Sequence, residues 1–428
     1  DTIMKKNMDA PILEHASNDK HVTTEPAKDY ISRAFLSVPN SNPGNGPKIS
    51  VMTYNTLAQA LVNRKRYPTS GTALRWANRS KVIFEEITDY SPDILCLQEV
   101  DTSTWDREWT PKLKQLGYQA TFHASRQKKH GIAIAYKFSK FTCSLHMLVD
   151  YDSELTEGME RSKITDNVGL LLYLSFNSEF VENCSAPSRD GLIVGTTHLY
   201  WHAFASFERT RQAHILLKLC AQFAKNTRTL FGVNLHFYTI LAGDFNSQPF
   251  DAAYLSITEK PVKFEGITKN GLGRSIVHDW LGDRDHGDEN PDPVHFEFTP
   301  EISHQISKIQ DLCNSLKSRA ISLYSVGYGL IHPENSGLDN KRNEPLFSNW
   351  TDTWKGLIDY ICVVSDWDNT NNRKVDSLDD FTRASSMRLL RLLKMPSTAD
   401  MGPEQFGLPQ PGMYPSDHLC MMAELELL

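Results

Sequence analysis

What this chain lacks narrows the reading before anything it contains. Its seven cysteines (Cys96, Cys143, Cys184, Cys220, Cys313, Cys362 and Cys420) form no C-x-x-C pair, and their odd number leaves one over. That argues against a zinc site and a disulfide framework and suits a reducing compartment. Long hydrophobic runs are also missing. Stretches such as Val168-Gly-Leu-Leu-Leu-Tyr-Leu174 fall far below the ~20 residues that span a bilayer, so no membrane association is expected. A surplus of positive charge is absent as well. The formal net charge is −7, which disfavours a protein that coats long nucleic-acid duplexes. It leaves room for an enzyme that grips a few nucleotides, because carboxylates that hold a metal are themselves acidic. No fixed-period repeat occurs, and no leucine-rich repeats precede the core to dock partner proteins. No cleavable signal pattern is visible. The expected setting is intracellular, cytoplasmic and/or nuclear; because the chain opens on Asp1 rather than Met, organellar targeting is left open.

What is present begins late. Residues 1–46 are polar and poorly periodic and end in the turn-forming run Asn40-Ser-Asn-Pro-Gly-Asn-Gly-Pro47, so they are expected to form a flexible tail. From Lys48 the pattern alternates as a strand does, and residues 47–428 read as a single α/β domain. Strands are expected at Lys48 to Asn55, Ile94 to Leu97, Ile132 to Tyr136, Val168 to Phe176, Leu192 to His198, Phe237 to Ala242, Ile358 to Val364 and Leu419 to Leu425. Helices are expected at Ala73 to Tyr90, with apolar Ala77, Ile83, Phe84 and Ile87 near helical spacing, at Ser206 to Lys225 and around Asp251 to Ile257. Residues of about 260–350, rich in Asp, Asn, Pro and His, read as an insertion between core strands, with an amphipathic piece near Ile302 to Leu316.

Polar groups cluster where the expected strands end and loops expose them. They are Asn55, Gln98-Glu99, His198, Asp244 and Asn246 within Gly243-Asp-Phe-Asn-Ser247, Asp359, and Asp417-His418. Each alone is an ordinary turn former or a structural histidine. Together and in this order, Tyr54-Asn-Thr-Leu-Ala58, Pro92-Asp-Ile-Leu-Cys-Leu-Gln-Glu-Val100, Thr197-His-Leu199, Gly243 to Ser247, Asp359-Tyr-Ile361 and Ser416-Asp-His418 resemble the endonuclease–exonuclease–phosphatase superfamily. Phe207-Glu-Arg-Thr-Arg-Gln212 and Leu116-Gly-Tyr-Gln119 place the resemblance in its nocturnin/deadenylase branch. Thr197-His-Leu-Tyr-Trp-His202 and Ser322-Leu-Tyr-Ser-Val-Gly-Tyr328 bring it nearest the fungal nocturnin-like RNA exonucleases.

The resemblance covers residues 48–428 and implies a four-layer α/β sandwich, two mixed sheets face to face with helices outside. It implies a Mg²⁺-dependent 3′→5′ RNA exonuclease, with Mn²⁺ as substitute, that acts on single-stranded RNA 3′ ends and releases 5′-nucleotides. Poly(A) removal and ribosomal-RNA end trimming are the expected uses. Glu99 is then the main metal ligand, with Asn55 and Asp417. Asp244 orients or deprotonates the attacking water, and Asn246 holds it or the phosphate. His198, and His418 polarised by Asp359, donate to phosphate oxygens. The physical chemistry agrees: a phosphodiester anion needs charge neutralisation, an activated water and a stabilised leaving oxygen, which a hard cation on oxygen ligands supplies.

The chain departs from that branch where the branch carries a lysine and an arginine for extra phosphates. Tyr200 and His202 stand there, flanking Trp201. A further basic position falls at Ser125, beside Arg126. Tyr200, Trp201 and His202 therefore become candidates for base stacking, worth ~1–3 kcal/mol per base in single-strand binders, or for core packing. Arg126 and Arg209 are the basic candidates for substrate contact. Arg209 and Arg211 also have Glu208 within pairing range, and Lys128 and Lys129 read as part of a solvated turn. Trp350 and Trp354 are candidates to flank a base or to anchor the insertion. The alternatives are a phosphomonoesterase on a small compound such as a dinucleotide or phosphoinositide, disfavoured by the lost basic pair, and a catalytically inactive RNA-binding protein, disfavoured by a full catalytic set.

Overall fold

The computed structural model describes residues 27–39, 41–278 and 296–428. Two mixed sheets form the centre. The first has seven strands in the order Phe35–Ser37, Met387–Leu393, Met421–Leu427, Lys48–Asn55, Ile94–Asp101, His130–Lys137 and Tyr118–His123. The second has six, in the order Ser318–Ser322, Asp359–Asp366, Phe237–Asp244, Gly191–His198, Val168–Phe176 and Phe141–Asp150.

The central strands read as near-continuous apolar runs because both of their faces are covered. Val51, Cys96 and Ile134 from the first sheet share one buried cluster with Leu170, Leu172, Val194, Ile240 and Ile361 from the second. On the outer face of the first sheet, Ile83 and Ile87 of the Trp76–Tyr90 helix pack with Leu95, Leu97 and Trp109. That helix ends on Ser91 in a left-handed conformation, with Pro92 next, a stop that proline enforces. The Ser206–Phe231 helix covers the second sheet with Ala213, Leu216, Leu217, Cys220 and Phe223. Helix, sheet, sheet and helix make the four layers. Among the described residues, no helix is long and apolar enough to cross a membrane.

The sheet registers set the catalytic end. Lys48–Asn55 and Ile94–Asp101 run parallel with Asn55 beside Gln98. Gly191–His198 and Phe237–Asp244 run parallel with His198 beside Asp244. Asp359 pairs antiparallel with Asp244. Gly243 allows this close approach, since a Cβ there would lie 2.3 Å from the Thr197 carbonyl oxygen. The sheets are also stitched together by Gln98, whose Nε2 donates to Thr196 Oγ1 at 3.0 Å.

Two organisational expectations need correction. The expected tail is tied to the core in part: Phe35–Ser37 adds an edge strand to the first sheet, Tyr30 and Arg33 are buried, and residues 1–26 and 40 lie outside the described residues. Arg33 donates to the Cys420 and Lys394 carbonyls, and the Ile31 amide donates to the Met413 carbonyl. Those partners are more than 350 residues away, so local composition carries no trace of them. The expected insertion at 260–350 is also not one unit. Gly266–Val277 and Pro300–Ser315 are helices, but Ser318–Ser322 is an edge strand of the core sheet, paired with Asp359–Asp366. Residues 279–295 lie outside the described residues. Trp350 is fully buried, its Nε1 donating to the Phe406 carbonyl, so it anchors this region and does not meet a base.

Candidate active site

Glu99 reaches the cleft through a local distortion of its strand. The pairing with His130–Lys137 is irregular between Leu97 and Val100, and Glu99 adopts a positive φ of 54°. A bulge of this kind re-aims a side chain out of the pleat, and the strain is tolerated only where its surroundings fix it. The fixing is visible. Glu99 Oε2 accepts from the Ala58 amide at 3.0 Å, and Oε1 accepts from Asn55 Nδ2 at 3.1 Å. Asn55 Nδ2 also donates to Asp244 Oδ2 at 2.9 Å, and its Oδ1 accepts from the Leu57 amide. One amide thus ties the carboxylates of the two sheets together.

Asp244, at the end of its strand, is fully buried. Its Oδ2 lies 3.4 Å from His198 Nε2 and 3.7 Å from His418 Nε2, and its Oδ1 accepts from the Asn246 amide. Asn246 has a φ of 45° and donates through Nδ2 to the Leu199 carbonyl at 2.8 Å. His418 Nδ1 meets Asp359 Oδ2 at 2.7 Å, and that oxygen also accepts from Ser348 Oγ at 2.7 Å. Asp417 Oδ2 accepts from Tyr67 Oη at 2.8 Å. All eight residues expected at the catalytic and metal positions therefore converge on one cleft between the sheets.

Their charges diverge in a useful way. Burial works to push His418 down, but Asp359, Asp244 and Asp417 outweigh it and hold the ring well above its ordinary value as an imidazolium. His198 goes the other way, since burial takes it down to about 4 and leaves a neutral ring at pH 7. Burial raises Asp244 to about 8, helped by the Asp359 charge. Burial also raises Asp417, with Glu99 adding like-charge repulsion. For Glu99, burial is outweighed by the surrounding imidazoles and the Asn55 amide, and the carboxyl is held below its usual range. With His198 neutral, the His418 imidazolium is the lasting source of that field.

Two groupings could take a cation, and chemistry separates them. Asp244, Asp359 and His418 bring ligand atoms within 4.8 Å of one another, but both His418 nitrogens already face carboxylates, which leaves no lone pair for a metal. That trio is a proton-bearing array. Glu99 and Asp417 are two carboxylates that repel, with the Asn55 amide beside them donating through Nδ2 to Glu99, and a hard divalent cation on their oxygens would relieve that repulsion.

The expected substrate contacts fare unevenly. Trp201 is 47% exposed and Arg126 is exposed; both remain available. Tyr200 and His202 are buried, their rings stacked at an interplanar angle of 12°, and Phe204 donates its amide to His202 Nδ1. Arg209 is buried too and donates through Nη1 to the Tyr200 and His202 carbonyls. These three shape the loop that presents Trp201, and the expectation that they touch substrate is corrected accordingly. Sequence reasoning missed His130, whose ring centroid lies 6.3 Å from that of His198, and Tyr67 on Asp417. His130 sits two residues beyond Lys128 at the start of a strand, a position that single-sequence reading assigns to a turn. Tyr67 lies in an irregular loop with no pattern to flag it.

A model of the family described as Endonuclease/Exonuclease/phosphatase matches residues 52–418. RNA exonuclease NGL2 of Saccharomyces cerevisiae is 40% identical over 427 residues, covering 94% of this chain and 82% of the relative. The CCR4-Not complex 3′-5′-exoribonuclease subunit Ccr4 of the same yeast is 26% identical over 405 residues, covering 89% of this chain and 39% of Ccr4. Among solved structures, ANGEL2, described as a 2′,3′-cyclic phosphatase, matches with a TM-score of 0.62 at 23% identity, covering 93% of this chain and 99% of that one. At that identity the likeness is one of fold.

Proposed function

This chain belongs to the endonuclease/exonuclease/phosphatase family, and we propose that it is a Mg²⁺-dependent exonuclease that removes 5′-nucleotides from the free 3′ end of single-stranded RNA. The observation that carries the reading is the pairing, within one cleft, of an all-oxygen carboxylate set with a carboxylate–imidazolium–carboxylate array. RNA as substrate and attack from the 3′ end are supported by the names borne by NGL2 and Ccr4.

Glu99 and Asp417 would hold the Mg²⁺, with Asn55 beside them. A bound Mg²⁺ would neutralise phosphate charge and stabilise the departing 3′ oxygen. The remaining work belongs to side chains. Asp244 takes the proton of the attacking water on its carboxylate, and its raised affinity for a proton suits a general base near neutral pH. Asn246, fixed by Leu199, orients that water. His418 presents Nε2–H to the phosphate and is kept charged by Asp359, so its donation strengthens as negative charge grows in the transition state. The water oxygen bonds to phosphorus, the P–O3′ bond breaks, and a 5′-nucleotide leaves a strand one residue shorter. The neutral His198 ring completes the wall opposite Asp359.

The experiment is a time course with Mg²⁺ on 5′-labelled oligoadenylate carrying a free or a blocked 3′ end. A descending ladder with the free end alone is expected. Equal cleavage of both, or internal fragments, would overturn the exonuclease reading.

A further inference from the structure

The basic turn before the His130–Lys137 strand holds two kinds of lysine. Arg126 and Lys129 are exposed, whereas Lys128 is drawn partly inside. The turn is pinned at both ends. Ser125 Oγ donates to Asp166 Oδ1 at 3.0 Å, and the Lys129 carbonyl accepts from the Thr102 amide at 2.9 Å. Lys128 Nζ donates to Asn167 Oδ1 at 3.3 Å, and Asn167 Nδ2 donates to the His198 carbonyl at 2.6 Å. The ammonium is thereby anchored behind a catalytic-cleft residue, and its charge acts on Glu99, His198 and His130.

This placement is costly without an anion. Among the described residues, the Lys128 ammonium makes one hydrogen bond, to a neutral amide oxygen, and no ion pair. A lysine drawn out of water normally finds a carboxylate or gives up its proton. Burial does pull Lys128 down, to about 8, with Asp166, Asp152 and Glu99 pulling back. At neutral pH the ammonium form therefore persists, with N–H donors to spare, near enough to act on Glu99 and His198 of a site read as cutting phosphodiesters.

We propose that Lys128 binds the phosphate one step upstream of the scissile one, and so makes the enzyme prefer substrates with at least two linkages at the 3′ end. The anchor argues for the neighbouring phosphate. Lys128 is held through Asn167 to the backbone of His198, one layer back from the imidazole and carboxylate atoms that surround the reacting group. The exposed Arg126, with a freely solvated head group, is the weaker candidate, because a preorganised donor loses less freedom on binding. The inference rests on the exonuclease reading above.

The dinucleotide ApA has only the scissile phosphate, and the trinucleotide ApApA adds the upstream one. For the full chain with Mg²⁺, kcat/KM should be about tenfold higher on ApApA than on ApA, the scale of one charge-assisted contact. Lys128→Gln should bring the ApApA-to-ApA ratio down to about one, any loss from the missing charge near Glu99 being common to both substrates, and Lys128→Arg should keep most of the preference. On oligoadenylate, the slope of log(1/KM) against log[salt] should shrink by about 0.7 in Lys128→Gln, the loss of one phosphate contact on a single strand. A purely structural lysine would move neither the ApApA-to-ApA ratio nor the salt slope. Equal losses on both substrates, or an unchanged ratio, would overturn the proposal. A wild-type protein that cleaves neither substrate nor oligoadenylate would instead overturn the exonuclease reading itself.

Discussion

Asp359→Asn isolates the role of charge in the imidazolium array. The carboxylate sits 2.7 Å from His418 Nδ1, and the amide oxygen of asparagine can still accept the same hydrogen bond, so shape and packing persist while one negative charge goes. Opposite charges with centres ~4 Å apart interact by ~4 kcal/mol at an effective dielectric of 20, so losing Asp359 lowers the proton affinity of the ring. His418 would then be held up less strongly, by Asp244 at 3.7 Å and Asp417 alone, and the ring would lose its proton more readily. With a neutral ring, the phosphate loses a charged donor where transition-state charge builds, and the loss of one such donor costs about 10²–10³ in kcat. The assay is steady-state hydrolysis of oligoadenylate from pH 5.5 to 9, with kcat and KM separated. The variant should lose kcat by that factor with KM changed less than about threefold. The protonated form is the active one, so the falling limb at high pH should move to lower pH. A variant within threefold of wild type, or one whose defect lies wholly in KM, would refute the reasoning.

Three more outcomes can be checked. Chelation should abolish turnover and added Mg²⁺ restore it, and Glu99→Gln should be inactive at all Mg²⁺ concentrations while melting like wild type; persistent activity in chelator would contradict the oxygen-ligand site. Trp201→Ala should weaken binding of short single-stranded RNA by ~1–3 kcal/mol and leave a small chromogenic phosphodiester unaffected; equal effects on both would mean that the ring packs the loop. Glu344 is fully buried, accepts from Tyr254 Oη, and is raised by burial to about 7. Because its folded affinity for the proton exceeds the unfolded one, the folded state holds more protons between about pH 4.5 and 7, and stability falls as pH rises through that window. Urea unfolding at pH 5 and pH 8 should show Glu344→Gln losing ~1–3 kcal/mol less than wild type between the two; identical losses would contradict this.

The sequence disclosed those parts of the molecule whose signal is local. Val168 to Leu174 is an uninterrupted apolar run, and the strand spans Val168–Phe176. The Trp76–Tyr90 helix lies within the expected Ala73 to Tyr90, its start shifted by a 3-10 turn at Gly71–Leu74. The cleft residues were legible because each lies at or near a strand end in a motif of fixed order. What stayed hidden depends on partners distant in the chain. Phe35–Ser37 is a strand only because Met387–Leu393 lies beside it. Ser318–Ser322 looked like part of an insertion until paired with Asp359–Asp366. Lys128 looked solvated because nothing near it in sequence reveals Asn167, and Arg209 looked like a substrate contact because only the folded loop brings the Tyr200 and His202 carbonyls to it.

The central claim is that Asp244 directs water onto the phosphorus of the terminal RNA linkage and that the 3′ oxygen leaves. Oxygen tracing tests it most directly: oligoadenylate is digested to completion in H₂¹⁸O with Mg²⁺, and the released products are read by mass spectrometry. The account predicts 5′-AMP with one ¹⁸O in its phosphate, and a loss of this product by about 10²-fold or more in Asp244→Asn with RNA affinity little changed. Release of inorganic phosphate, of a 3′-phosphate or of a 2′,3′-cyclic phosphate, or an Asp244→Asn variant whose rate matches wild type, would contradict it.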